Sequence, residues 1–170
     1  YIIFVDSDDY ILPNTLSCSL NSIVKCGNPD LVILGYNRDD GESDLCKLFN
    51  EYPKNTDEFI KKINNIKNYI GFCWRYIYKH EVIKKKSIHF RDIRIHEDTL
   101  FTTEYFFNCS NVIGIKDKLY CKRIRRDSLS SATDLSATIA CIKILNYLNV
   151  LYSHKINYVK KKYLINRIKF

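Results

Sequence analysis

Residues Tyr1–Tyr10 read Tyr-Ile-Ile-Phe-Val-Asp-Ser-Asp-Asp-Tyr, a short apolar run that ends in three carboxylates within four positions. An apolar run this short and this rich in Ile and Val predicts a buried strand. Three acids crowded at its end repel one another unless a cation or a ligand sits among them. Open α/β sheets bind ligands at the carboxyl ends of their strands, so the turn at Asp6, Asp8 and Asp9 is a candidate site for a divalent ion carrying a phosphate. Hard carboxylate oxygens suit Mg²⁺ or Mn²⁺. The plainer alternative is an acidic turn that caps the following helix, with Asn14 or Asp9 as the cap.

Outward from this strand, Pro13 suits the first turn of a helix. Leu16, Leu20, Ile23 and Val24 then recur at helical spacing until Gly27 and Pro29 stop it. The run Leu31–Tyr36 predicts a second strand, which makes a strand–helix–strand unit and argues for an α/β sheet. Asn37–Ser43 is charged, contains Gly and has no periodicity, so it reads as a loop. Asn55 and Glu58 have capping-box spacing ahead of Phe59, Ile60, Ile63 and Ile66, a short amphipathic helix.

Tyr69–Tyr78 is aromatic and apolar around the lone Trp74, and Lys79–Lys86 reads as a brief exposed helix. Glu97–Asn108 puts Leu100, Phe101, Tyr105 and Phe106 on one broad face, with Glu97 and Asp98 in the first turn, where acids are electrostatically favoured. Val112–Ile115 and Lys118–Ile124 predict two short strands. Leu135–Tyr152 and Tyr158–Phe170 are helical in pattern and increasingly basic. No internal repeat or low-complexity segment interrupts the chain.

A hydrophobic content of 46% argues against disorder, and 13 Tyr with 9 Phe supply bulky core material. No apolar stretch is long enough to span a bilayer. The 7 Cys include no CxxC pair, which reads as reduced, buried thiols in a reducing compartment. Because the chain opens inside a strand and contains no Met, an upstream portion is expected beyond Tyr1. Charge is uneven: residues 1–85 carry 11 Lys/Arg against 12 Asp/Glu, and residues 86–170 carry 16 against 7. The excess gathers at Lys122–Arg126 and in the tail Lys155–Lys169. Nucleic acid, an anionic membrane surface and a phosphorylated substrate are the partners such a charge could serve, and a solvated face is the plain alternative.

Four motifs stand in order: Asp6-Ser7-Asp8-Asp9-Tyr10 after an apolar strand, Trp74-Arg75-Tyr76-Ile77-Tyr78-Lys79, His96-Glu97-Asp98-Thr99-Leu100-Phe101, and Arg123-Ile124-Arg125 leading to Ser128-Leu129-Ser130. Together they resemble the large inverting glycosyltransferase family 2, with its GT-A fold, whose bacterial members build capsules, lipooligosaccharide and other surface glycans. The resemblance covers about Tyr1 to Ser131. It implies a GT-A type mixed sheet flanked by helices, incomplete at the N-terminus. Residues 1–131 would be the C-terminal part of the catalytic domain and residues 132–170 a basic helical extension.

The resemblance also implies roles. Asp6-Ser7-Asp8 would be the DxD motif, with Asp8 on the metal and Asp6 on the donor ribose or the metal shell. Asp98 would be the catalytic base and Glu97 its partner on the acceptor side. Trp74 would lie near the acceptor. Arg123, Arg125 and Ser128 would lie near the diphosphate and acceptor, with Arg123 and Arg125 on the donor and Ser128 on the acceptor. The implied cofactor is Mg²⁺ or Mn²⁺. The implied partners are a nucleotide-sugar donor, foremost a UDP-sugar, and a glycan or lipid-linked acceptor. The implied place is the cytoplasm, peripheral on the inner face of the membrane. The nucleotide-binding elements that precede the DxD strand in the family are missing from this chain, so the chain alone is expected to be inactive or only feebly active.

Chemistry alone asks for the same parts: a cation to neutralise the leaving diphosphate, and a separate carboxylate to take the acceptor proton. Two other readings compete. A haloacid-dehalogenase-type phosphatase also runs a strand into Asp-x-Asp, with Asp6 as nucleophile and Asp8 as acid/base. Here, however, Asp9-Tyr10 stands where that pattern has Gly and Thr. The second is an inactive remnant acting as a binding module. Nucleic acid is not the expected partner, because the aromatics follow apolar patterns rather than interleaving with the basic residues. Lipid contact is expected through Tyr158–Phe170, as a surface-seeking helix.

Overall fold

Leu31–Tyr36 runs through the middle of a five-stranded sheet, with every residue buried. The computed structural model describes residues 1–39, 53, 55–64, 71–93, 96–124, 135–152 and 155–168. Along the chain the elements are β1 (Ile2–Ile3), β2 (Tyr10–Ile11), α1 (Thr15–Lys25), β3 (Leu31–Arg38), α2 (Thr56–Asn64), β4 (Tyr76–Tyr78), α3 (His80–Lys86), α4 (Glu97–Asn108), β5 (Val112–Lys122), α5 (Leu135–Tyr152) and α6 (Tyr158–Ile168). A 3₁₀ turn, Cys73–Arg75, leads into β4.

The strand order is β1-β4-β3-β5-β2. β3 runs parallel to β5 and antiparallel to β4, and the two short strands pair antiparallel at either edge. The sheet is therefore mixed and flanked by helices, as the sequence predicts for the fold class. Side chains alternate across it. Leu31 and Ile33 of β3 point into the larger core, with Phe59, Tyr76, Tyr78, Tyr105 and Phe106. Val32 and Leu34 point to the other face, against Ile23 of α1 and Ile77, Ile115 and Leu119. Ile144, Leu148 and Tyr163 bring α5 and α6 into the larger core.

Several expectations are corrected. The opening run is not a buried strand: β1 is two residues long, pairs antiparallel with Tyr78 and Ile77, and is only half-buried. An edge strand is covered by a neighbour on one side alone. The two strands expected between Val112 and Ile124 are one, β5, with an irregular register opposite Leu34–Tyr36. That irregularity absorbs the polar Lys116-Asp117 interruption which divides the pattern in sequence.

On α1 the inward line is Thr15, Ser19 and Ile23, whereas Leu16, Leu20 and Val24 are 61%, 59% and 64% exposed. The Thr15 hydroxyl donates to the Leu119 carbonyl at 2.8 Å, which turns the helix so that its apolar row faces outward. On α6, Tyr163 is buried against Phe107 and Val159 packs on the core, so two residues assigned to a lipid-seeking side face the protein instead. Among the described residues no helix is long and apolar enough to cross a membrane.

Other elements match their sequence signals. α4 occupies Glu97–Asn108, and α3 buries none of its residues. The Glu58 N–H donates to the Asn55 side-chain oxygen at 2.9 Å, the capping bond predicted at the start of α2. α1 ends through Gly27, whose φ of 73° suits a residue without a side chain.

Candidate functional site

Asp6-Ser7-Asp8-Asp9 forms a tight turn between β1 and β2, closed by the Asp9 N–H donating to the Asp6 carbonyl at 3.0 Å. One carboxylate oxygen from each of Asp6, Asp8 and Asp9 lies within 4.8 Å of the others. The three acids are nevertheless not equivalent. One Asp9 oxygen accepts the Tyr120 hydroxyl at 2.7 Å and the other accepts the Arg123 backbone N–H at 2.9 Å. Asp9 therefore ties the turn to the end of β5 and does not cap α1. Asn14 stands at the cap position of α1 without a side-chain capping bond.

The other two oxygen donors of the cluster are the Asp6 and Asp8 carboxylates. Two hard oxygen ligands on an accessible turn fit an ion such as Mg²⁺ or Mn²⁺, which keeps several waters and takes phosphate oxygens for the rest of its shell. Partial burial, the Asp9 charge beside it and the neighbouring Asp8 and Glu97 raise the Asp6 carboxyl from its ordinary value, and Lys122 opposes the shift.

The second acidic element is the first turn of α4. His96 adopts the left-handed conformation (φ 67°) at the helix start, and its carbonyl accepts the Thr99 N–H at 3.1 Å. This sharp entry sets Glu97 and Asp98 on the first turn. Burial pushes the Asp98 carboxyl up to about 6; Glu97 and Asp6 add to the rise, and hydrogen bonds from Thr99 oppose it. A carboxylate poised there is suited to take a proton near neutral pH.

An aromatic stack connects the two acidic elements. The Tyr120 ring lies on Trp74 (4.7 Å between centroids, 17° between planes), and Trp74 lies on Phe72 (5.5 Å, 21°). The Thr102 hydroxyl of α4 donates to the Gly71 carbonyl at 2.9 Å, joining the helix to the start of this stack. Lys122 places its ammonium over both Phe72 and Trp74, 5.1 Å from each ring. Arg75, itself buried, donates to the Tyr36 hydroxyl at 2.9 Å.

Asp6 lies within electrostatic reach of Asp98 and Glu97, although it stands far from both in sequence. Arg123 joins them through its backbone, with its guanidinium 5.5 Å over the Tyr10 ring. Trp74, expected at the acceptor, is 2% exposed and stacked against Phe72 and Tyr120. Its indole N–H is buried and has no partner among the described residues. Arg125 and Ser128 lie outside the described residues.

Sequence reasoning missed Tyr120 and saw Lys122 only as part of the basic run Lys122–Arg126. Tyr120 and Lys122 sit on β5 among ordinary alternating residues, and only their two-residue spacing hints at a shared face. Cys73 feels Asp98, Asp6 and Glu97 at once; burial is the main cause that pushes its thiol up to about 12, which keeps it protonated and rules it out as a thiolate nucleophile at neutral pH.

The sequence matches no protein-family model and no curated protein. The fold is similar to that of Staphylococcus aureus TarS: 18% identity and a TM-score of 0.70 to TarS 1-349, covering 99% of this chain and 47% of that one. Against TarS 1-349 in complex with UDP-GlcNAc the identity is 22% and the TM-score 0.63, with 97% and 54% covered. Against TarS itself they are 20% and 0.68, with 95% and 26% covered. The chain thus spans about half the length of the TarS 1-349 structures.

Proposed function

We propose that the chain is the acceptor-side and metal-side half of a nucleotide-sugar glycosyltransferase of family 2 type, acting with inversion on a glycan or lipid-linked acceptor in surface-polysaccharide or lipooligosaccharide synthesis. The observation that carries this reading is the Asp98 carboxyl, raised to about 6 by burial and by the charges of Glu97 and of Asp6 on the acidic turn. Likeness of fold to a protein crystallised with UDP-GlcNAc and with UDP supports a UDP-sugar as donor.

In this reading Asp8 and Asp6 would hold Mg²⁺ or Mn²⁺, whose positive charge would stabilise a departing diphosphate. Lys122 and Arg123, beside the turn, add further charge there, with Arg125 as the next basic residue in sequence. Asp98 takes the proton of the acceptor hydroxyl as it attacks the anomeric carbon from the face opposite the diphosphate, so the centre inverts. Glu97 and Ser128 orient the acceptor, and the Trp74 stack keeps the two sides at a fixed separation. The setting is cytoplasmic. Contact with an anionic membrane would fall to the exposed Tyr158, Lys161 and Lys162 of α6.

The test is release of UDP from a panel of UDP-sugars with Mn²⁺, by the complete gene product and by its Asp98→Asn variant. Release that requires the Asp98 carboxylate supports the reading. Equal release by the variant removes Asp98 as the base, and the absence of release from every UDP-sugar overturns the donor class.

A further inference from the structure

We infer that Tyr120 is a positioning residue of the donor site: its hydroxyl, acting through Asp9, holds the acidic turn in the shape that leaves Asp6 and Asp8 to the metal. The inference rests on the metal-assisted reading above. The geometry is specific to the hydroxyl. Tyr120 donates to the Asp9 carboxylate at 2.7 Å and accepts the Asp6 backbone N–H at 3.2 Å, so one oxygen grips both ends of the turn. The Arg123 N–H occupies the other Asp9 oxygen. With both oxygens engaged, Asp9 acts as a tether rather than as a third ligand, although its carboxylate lies in the same cluster.

The anchor itself is rigid. Tyr120 is fully buried, stacked on Trp74, and paired with Ile11 across β2 and β5. Beside it, the Leu119 carbonyl accepts both the Leu12 N–H at 3.0 Å and the Thr15 hydroxyl at 2.8 Å. A phenylalanine would fill the stack equally well. What the hydroxyl adds is the grip on the turn, and partners of this kind behind metal ligands set the affinity of the ligands in front of them.

The test is a double-mutant cycle in the complete gene product, read as Mn²⁺ affinity in the presence of UDP, by calorimetry well below the melting temperature, with near-ultraviolet circular dichroism as the check on folding. Tyr120→Phe and Asp9→Asn are each expected to weaken Mn²⁺ binding about tenfold, and the double variant no more than either, because the two groups act as one unit. Asp8→Asn should abolish it. Full Mn²⁺ affinity in folded Tyr120→Phe overturns the inference. So does additivity in the cycle, which would make Asp9 a ligand in its own right. Should Tyr120→Phe fail to fold, Asp9→Asn decides: a loss as complete as that of Asp8→Asn overturns the tether. If the unsubstituted complete gene product binds no Mn²⁺ with UDP, the underlying donor-site reading fails, and the positioning role fails with it.

Discussion

The negative field of Asp6, on the turn after β1, reaches the carboxyl of Asp98 on α4 and adds to the burial that raises it to about 6. A base with that value is half-ionised just below neutrality. The rate of transfer by the complete enzyme should therefore rise about tenfold per pH unit below 6 and level off above it. Asp98→Asn should cost at least about a hundredfold in turnover while sparing donor binding. A pH–rate profile on both proteins checks this; a flat profile between pH 5 and 7 would contradict it.

The same shift has a cost in stability. Burial holds the Asp98 value in the folded chain above that of the unfolded one. The associated stability is thus complete below the ordinary carboxylate value of 3.8 and is lost as pH rises through about 6. Asp98→Asn should accordingly stabilise the fold at pH 7, by on the order of 2 kcal/mol, and leave it little changed near pH 3.5. Thermal melts at the two pH values measure the difference. A lower melting temperature for the variant at pH 7 would contradict it.

Phe106 is fully buried, edge-on to Phe59 at 5.0 Å and to Tyr76 at 5.2 Å, where α2, α4 and β4 meet. Phe106→Ala should cost about 3–5 kcal/mol through lost burial and the cavity left behind. Urea denaturation would show this as a lower midpoint with an unchanged slope; a loss below 1 kcal/mol would mean that these elements do not share one core.

Leu16, Leu20 and Val24 form an outward apolar row on α1, each more than half exposed. Such rows promote self-association of a chain that displays them. Leu16→Glu with Leu20→Lys should raise the concentration at which the chain stays monodisperse in light scattering, with helix content unchanged. Loss of helix content would show instead that the row packs inward.

Much of the frame was legible because burial on both faces leaves a plain mark. Leu31–Tyr36 is apolar at almost every position since each side of β3 meets a core, and α4 is written in an acidic first turn followed by apolar and aromatic residues. The face of α1 was not legible. The hydroxyl of Thr15 reaching Leu119 is a tertiary contact, and it overrides the apolar period of the helix. For the site, the acidic turn and the Glu97-Asp98 pair stand out as local clusters of charge. Tyr120 does not: its part comes from a partner 111 residues away in the chain, and nothing in its own neighbourhood announces it.

Every proposed step depends on a metal-bound nucleotide at the Asp6–Asp8 turn. The most direct measurement is calorimetric titration of UDP into the complete gene product, with Mn²⁺ and with the metal chelated. Saturable binding that requires Mn²⁺ and disappears in Asp8→Asn is expected. Binding of equal strength without metal, or in Asp8→Asn, would contradict it.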